Sequence, residues 1–143
     1  MVQEAMARVR EPTANELEAA NRAEATALLI RNGYRVYRPE ADCYGEDLIL
    51  RTPSGELRAV QLKGRPAVDW KKYGKKSLWM LFPDPKSTDL GRKWFLVPHD
   101  QFYEWVKGRH GHTVSMLQDE GWSYPSVPRE LRRFLDEFAI IPS

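Results

Sequence analysis

The chain has 143 residues, 42% hydrophobic and 29% charged, with a net charge of +2, which suits one globular domain with its own core. No apolar run approaches the roughly 20 residues of a membrane-spanning helix, and residues 1–10 lack the apolar stretch of a secretory signal. Cys43 is the single cysteine, which excludes an internal disulfide and a thiolate zinc cluster and makes a cytoplasmic location the default expectation.

Residues 1–12 read as a loose N-terminal tail and 13–143 as a single domain with a C-terminal helical extension. Thr13-Ala14-Asn15-Glu16 has the spacing of a capping box, a helix runs to about Asn32, and Gly33 follows as a helix stop. Its stripe of Leu17, Ala20, Leu28 and Leu29 suits packing on a sheet. Tyr34 to Arg38 reads as a first strand ended by Pro39, and residues 40–46 as a polar loop. Asp47-Leu48-Ile49-Leu50 opens a second strand, Thr52-Pro53-Ser54-Gly55 is a turn, and a third strand runs from about Leu57 to Lys63. Residues 64–74 read as a mobile basic loop. Ser77 to Phe82 is a buried strand with Trp79 in the core, broken by Pro83-Asp84-Pro85. Lys93 to Val97 is a further strand, and a helix starts at Pro98-His99-Asp100 and runs to about Val106. From Gly108 a Gly/His loop leads to a helix over about Pro128 to Phe138, where Leu131, Phe134, Leu135 and Phe138 lie at core spacing. The order predicts an α/β fold in which helices flank a central mixed β-sheet built on a hairpin.

The hairpin carries the chemistry. Asp47 precedes Gln61 by fourteen positions, and Gln61 and Lys63, two apart, share one face of their strand while Val60 and Leu62 share the other. An acid, a second oxygen ligand and an ammonium at one end of a sheet suit metal-dependent phosphodiester cleavage. Charge is uneven along the chain. Residues 1–50 hold six Arg against nine acids (−3), residues 51–76 eight Lys/Arg against two acids (+6), and residues 77–143 eight against nine (−1). The basic excess lies on and just after the hairpin, where a polyanion's backbone would run. Arg65, Lys71, Lys72, Lys75 and Lys76 are the candidate phosphate contacts, with Trp70 and Tyr73 as candidate stacking residues. His110 and His112 have no third ligand nearby and read as a polar loop; His99 reads as a helix-start residue.

Asp47, the spacer and Gln61-x-Lys63 resemble the pattern of the PD-(D/E)XK nuclease superfamily. The helix leading to Leu28-Leu29-Ile30-Arg31-Asn32-Gly33-Tyr34-Arg35-Val36 resembles the family's entry into its first strand, and the likeness spans roughly residues 14 to 106. Gln61 departs from the usual carboxylate, although some branches carry glutamine there. The resemblance implies a restriction-endonuclease-like fold and a Mg²⁺ or Mn²⁺ site made by Asp47, Gln61 and the main-chain carbonyl of Leu62. It implies that Lys63 positions water or stabilises the phosphate. Many members add a glutamate from the first helix; the usual place is Arg22 here, and Glu18, one turn earlier on the same face, is the substitute. Glu24 falls on nearly the opposite side, and Glu46, beside Asp47, is a weaker second candidate ligand.

The expected function is therefore a metal-dependent endonuclease acting on DNA, with RNA a further substrate to test. Because no helix-turn-helix or zinc finger accompanies the domain, it is expected to read nucleic-acid shape, to act as a homodimer or to be targeted by a partner. Two alternatives keep the fold without the chemistry: an inactive nucleic-acid-binding module, and an interaction subunit of a repair or defence complex.

Overall fold

Residues 9–41, 45–87 and 91–140 are described by the computed structural model; Cys43 lies outside them. Helix α1, Ala14–Arg31, starts as its capping box dictates: Thr13 Oγ1 accepts from the Glu16 N–H, and the Glu16 carboxylate accepts from the Thr13 N–H. Arg10 adds two hydrogen bonds to Glu16, so the described end of the tail is tied to the first turn. Gly33, at φ +86°, turns the chain from α1 into strand β1, Arg35–Tyr37.

Strands β2, Leu48–Arg51, and β3, Leu57–Leu62, form the expected hairpin. Its turn closes through Thr52, whose hydroxyl accepts from the Glu56 N–H at 3.0 Å. After β3 come β4, Ala67–Asp69, and α2, Trp70–Tyr73, then β5, Leu78–Pro83, and β6, Trp94–Pro98. The main sheet has the order β1-β2-β3-β5-β6, antiparallel except for the parallel β3/β5 pair, so it is mixed. Strands β5 and β6 are buried on both faces, which is why they read as unbroken apolar runs.

Helices cover both faces. From α1, Ala25 and Leu29 pack against Leu48, Leu50, Val60, Leu62, Leu81 and Leu96. Helices α3, His99–His110, and α4, Arg129–Leu135, bring Phe102, Val106, Leu131 and Leu135 onto Met80, Phe82, Phe95 and Val97. The C-terminal helices thus complete the core. Among the described residues no helix is long and apolar enough to cross a membrane.

Several expectations need correction. The segment after Lys63 is not a loop. Strand β4 pairs antiparallel with β7, Gly121–Ser123, and α2 is capped by Asp69, which accepts from the Lys72 N–H. Three-residue strands are too short to show a period. The first turns of α1 do not lie on the sheet: Leu17 is 51% exposed, and only the second half of the helix is buried. Trp79 is half-buried, with the Arg58 guanidinium 3.8 Å above its ring. Helix α3 continues to His110, and the last helix ends at Leu135 in a tighter turn over Asp136–Phe138.

His99 pins β4 to α3. It is fully buried, its Nε2 accepts from the Asp69 N–H at 3.0 Å, and Nδ1 lies 2.8 Å from Asp100 Oδ1. Burial holds its pKa below the usual imidazole value, although Asp100 pulls the other way. The unfolded chain therefore takes up a proton near pH 6.5 that the folded chain refuses, and stability should fall as pH drops through that value. Melting curves from about pH 8 to about pH 5.5 should show a falling Tm, and His99→Gln should flatten that part of the profile.

Candidate functional site

The end of the β2/β3 hairpin fixes Asp47. Its N–H donates to the Val60 carbonyl at 2.7 Å, and its Oδ2 accepts from the Leu62 N–H at 2.9 Å. The carboxylate thus stands where a backbone carbonyl of β2 would continue the ladder. The Lys63 N–H points the other way, to the Leu81 carbonyl of β5 at 2.9 Å. Alternate residues of an inner strand bond to opposite neighbours, so the Leu62 carbonyl lies on the Asp47 side, beyond the last β2 pair, Leu48↔Val60. Val60 and Leu62 are buried under α1, and Gln61 and Lys63 are half-exposed on the alternate positions, as the spacing predicts.

Lys63 follows the neutral Gln61 by two positions on the same strand face. Its ammonium rests over the Tyr73 ring, 5.3 Å from the centroid. Tyr73 is 7% exposed and sets its ring edge-on to His99, so it is a platform beneath the lysine and not an open stacking surface.

Gln61, Leu62 and Lys63 line a groove of about 920 Å³ whose other wall is the first half of α1. Leu17, Ala20, Glu18, Asn21 and Glu24 all face this groove, which explains why the apolar stripe of α1 stays partly uncovered. Glu18 shares the groove with Gln61 and Lys63 and is 3.4 Å from Arg22. Glu24, expected on the far side of α1, lines it too. Arg92 donates to both Glu24 oxygens and to Asn21 Oδ1, and Trp94 Nε1 donates to Glu24 Oε2. Burial raises the Glu24 pKa, but these bonds more than offset it and hold the carboxyl below its ordinary value.

The basic residues divide. Arg65 lines the groove, joined by Lys86 and Arg92, which the sequence reading did not single out because they come from the β5–β6 connection. Trp70, Lys71, Lys72, Lys75 and Lys76 do not line it. Trp70 packs on Tyr103 with centroids 4.9 Å apart, Lys71 Nζ donates to the Gln118 carbonyl at 2.7 Å, and the Lys75 N–H donates to Asp100.

The donor types are those a hard cation takes: Asp47 would supply a carboxylate and Gln61 and the Leu62 carbonyl neutral oxygens, and Mg²⁺ ordinarily adds water and substrate phosphate to one or two carboxylates. Glu46, next to Asp47, has a buried Oε2 with no hydrogen-bond partner, an orphan acceptor that a cation would satisfy. Among the described residues no group of three or more His, Cys, Asp or Glu could hold a metal ion by itself, so a site here would depend on neutral oxygens.

No protein-family model, no curated protein and no solved structure matches the chain.

Proposed function

We propose that the protein is a metal-dependent endonuclease with a restriction-endonuclease-like fold, hydrolysing phosphodiester bonds in DNA. The observation that supports this most is the hairpin end: the Asp47 carboxylate is held by the Leu62 N–H, and the adjoining Gln61 and Lys63 border a groove that also carries Arg65 and Lys86. Asp47, Gln61 and the Leu62 carbonyl would hold Mg²⁺ or Mn²⁺, with Glu46 and Glu18 as further acids. Bound there, the ion supplies Lewis-acid polarisation of the phosphate. Lys63, its ammonium presented from Tyr73, donates to a non-bridging phosphate oxygen as charge builds on it. A water oxygen bonds to phosphorus, one P–O ester bond breaks, the water's proton passes to solvent and the leaving alkoxide takes up another. Arg65 and Lys86 hold the flanking backbone.

Because Gln61 contributes no charge, the metal should load mainly when the substrate phosphate is present. The same residue supports a second reading, a binding module that has lost catalysis, and the capture of Glu24 by Arg92 favours it too. Nicking of supercoiled plasmid and of branched DNA in Mg²⁺ or Mn²⁺ separates the two. Wild type should cleave, and Lys63→Ala should be slower by about a hundredfold or more. Absence of cleavage together with DNA binding that ignores chelator would establish the binding module instead.

A further inference from the structure

Lys63 belongs to two concavities. Besides the groove it borders a hollow of about 280 Å³, lined also by Asp69, Tyr73, Ser115, Trp122 and Ser123. That volume is near the lower end for a small-molecule pocket, roughly 300 Å³, so it has room for one ring system and not for a base pair. Its walls are the β4/β7 ribbon, whose register joins Ala67 to Ser123 and Asp69 to Gly121. Trp122 borders the hollow with one face of its indole already stacked on His110, centroids 4.2 Å apart and planes within 10°, which holds that wall in place. Both charges border the hollow: Lys63, which also lines the groove, has its ammonium over the Tyr73 ring, and Asp69 brings a carboxylate. A phosphate is repelled by Asp69 and retained by Lys63. A heterocycle with an exocyclic amine finds in Asp69 an acceptor, as cytosine N4 does with acidic side chains in DNA complexes.

We infer that this hollow receives a single unpaired nucleobase, attached to the phosphate that Lys63 holds, with a preference for bases bearing an exocyclic amine. The inference rests on the nuclease reading for the position of the phosphate. It makes the substrate single-stranded or locally opened DNA, since a base already out of a stack costs least to place there.

The test uses short oligonucleotides with one central 2-aminopurine, their abasic counterparts and a fully paired duplex, bound to the full-length protein, with cleavage followed in parallel. Ser123→Phe fills the hollow from an exposed strand position. Wild type should change the 2-aminopurine fluorescence on binding and should bind the abasic oligonucleotide about tenfold more weakly, the size of one base–aromatic contact. Ser123→Phe should abolish the fluorescence change and lose about the same factor on single strands, with duplex affinity unchanged. Equal affinity for normal and abasic strands, or a fluorescence change that survives Ser123→Phe, overturns the proposal. Cleavage without the fluorescence change would leave the nuclease standing and remove the base site. The fluorescence change without cleavage would do the reverse, and neither binding nor cleavage removes both.

Discussion

Asp47→Asn should end cleavage while leaving the fold intact, and Asp47→Ala should end cleavage and loosen the fold as well. The two effects separate because Asp47 has two tasks. Its Oδ2 accepts from the Leu62 N–H at 2.9 Å, a bond that an asparagine carbonyl oxygen can also accept. Its negative charge is what a divalent cation would need, and asparagine lacks it. Plasmid nicking should fall by about a thousandfold in both variants, the scale of removing a group that stabilises charge in the transition state. Urea denaturation should place Asp47→Asn near wild type and Asp47→Ala lower by about 1–3 kcal/mol, the cost of leaving a buried N–H without its acceptor. Cleavage by Asp47→Asn within about tenfold of wild type would remove Asp47 from the chemistry and with it the nuclease reading.

The largest stability loss from one polar side chain is expected at Glu24. Glu24→Ala leaves the Trp94 indole N–H without its acceptor and takes from the Arg92 guanidinium its carboxylate partner, leaving it Asn21 and the Ser87 carbonyl. Breaking a buried pair from one side costs about 3–5 kcal/mol. Glu24 keeps 25% of its side chain exposed, so a loss of about 2–3 kcal/mol is expected. The pH dependence has a definite sign. The folded carboxyl lies below its ordinary value of 4.5, so its contribution is complete above that value and is lost as pH falls through the folded pKa. Glu24→Gln should therefore lower the urea midpoint at neutral pH and flatten the acid limb. An acid limb as steep as wild type would place the acid-sensitive group elsewhere.

What was legible in the sequence was local. The capping box at Thr13–Glu16, the stop at Gly33 and the hairpin with its Thr52–Gly55 turn are written within a few residues, and the structure has them there. The placement of Gln61 and Lys63 on one face follows from strand alternation alone. What was not legible depends on residues far apart in the chain. The partner of Ala67–Asp69 is Gly121–Ser123, and without it the basic segment looks like a loop. Lys71 and Lys75 count toward a positive zone in composition, yet the fold ties them to Gln118 and Asp100 and leaves Lys86 and Arg92 to line the groove. Tyr73, with basic neighbours, carries no local sign of burial; it is buried because Asp69 caps its helical turn against His99. Leu17 and Ala20 have helical spacing for a core, but spacing does not show where the sheet ends.

The β4/β7 ribbon also bears on when the hairpin motif becomes enclosed. Ribosomal synthesis releases the N-terminal part of a domain first, so Asp47, Gln61 and Lys63 leave the ribosome long before Gly121–Ser123. Until that last ribbon strand and α4 emerge, Lys63 lacks one of its two flanking enclosures and Met80 and Phe82 lack Leu131 and Leu135. A nascent or cleaved chain ending near His112 would carry every residue of the hairpin motif and still lack the partner strand of β4 and the α4 side of the core. Completion of the polypeptide thus separates making the motif from enclosing it.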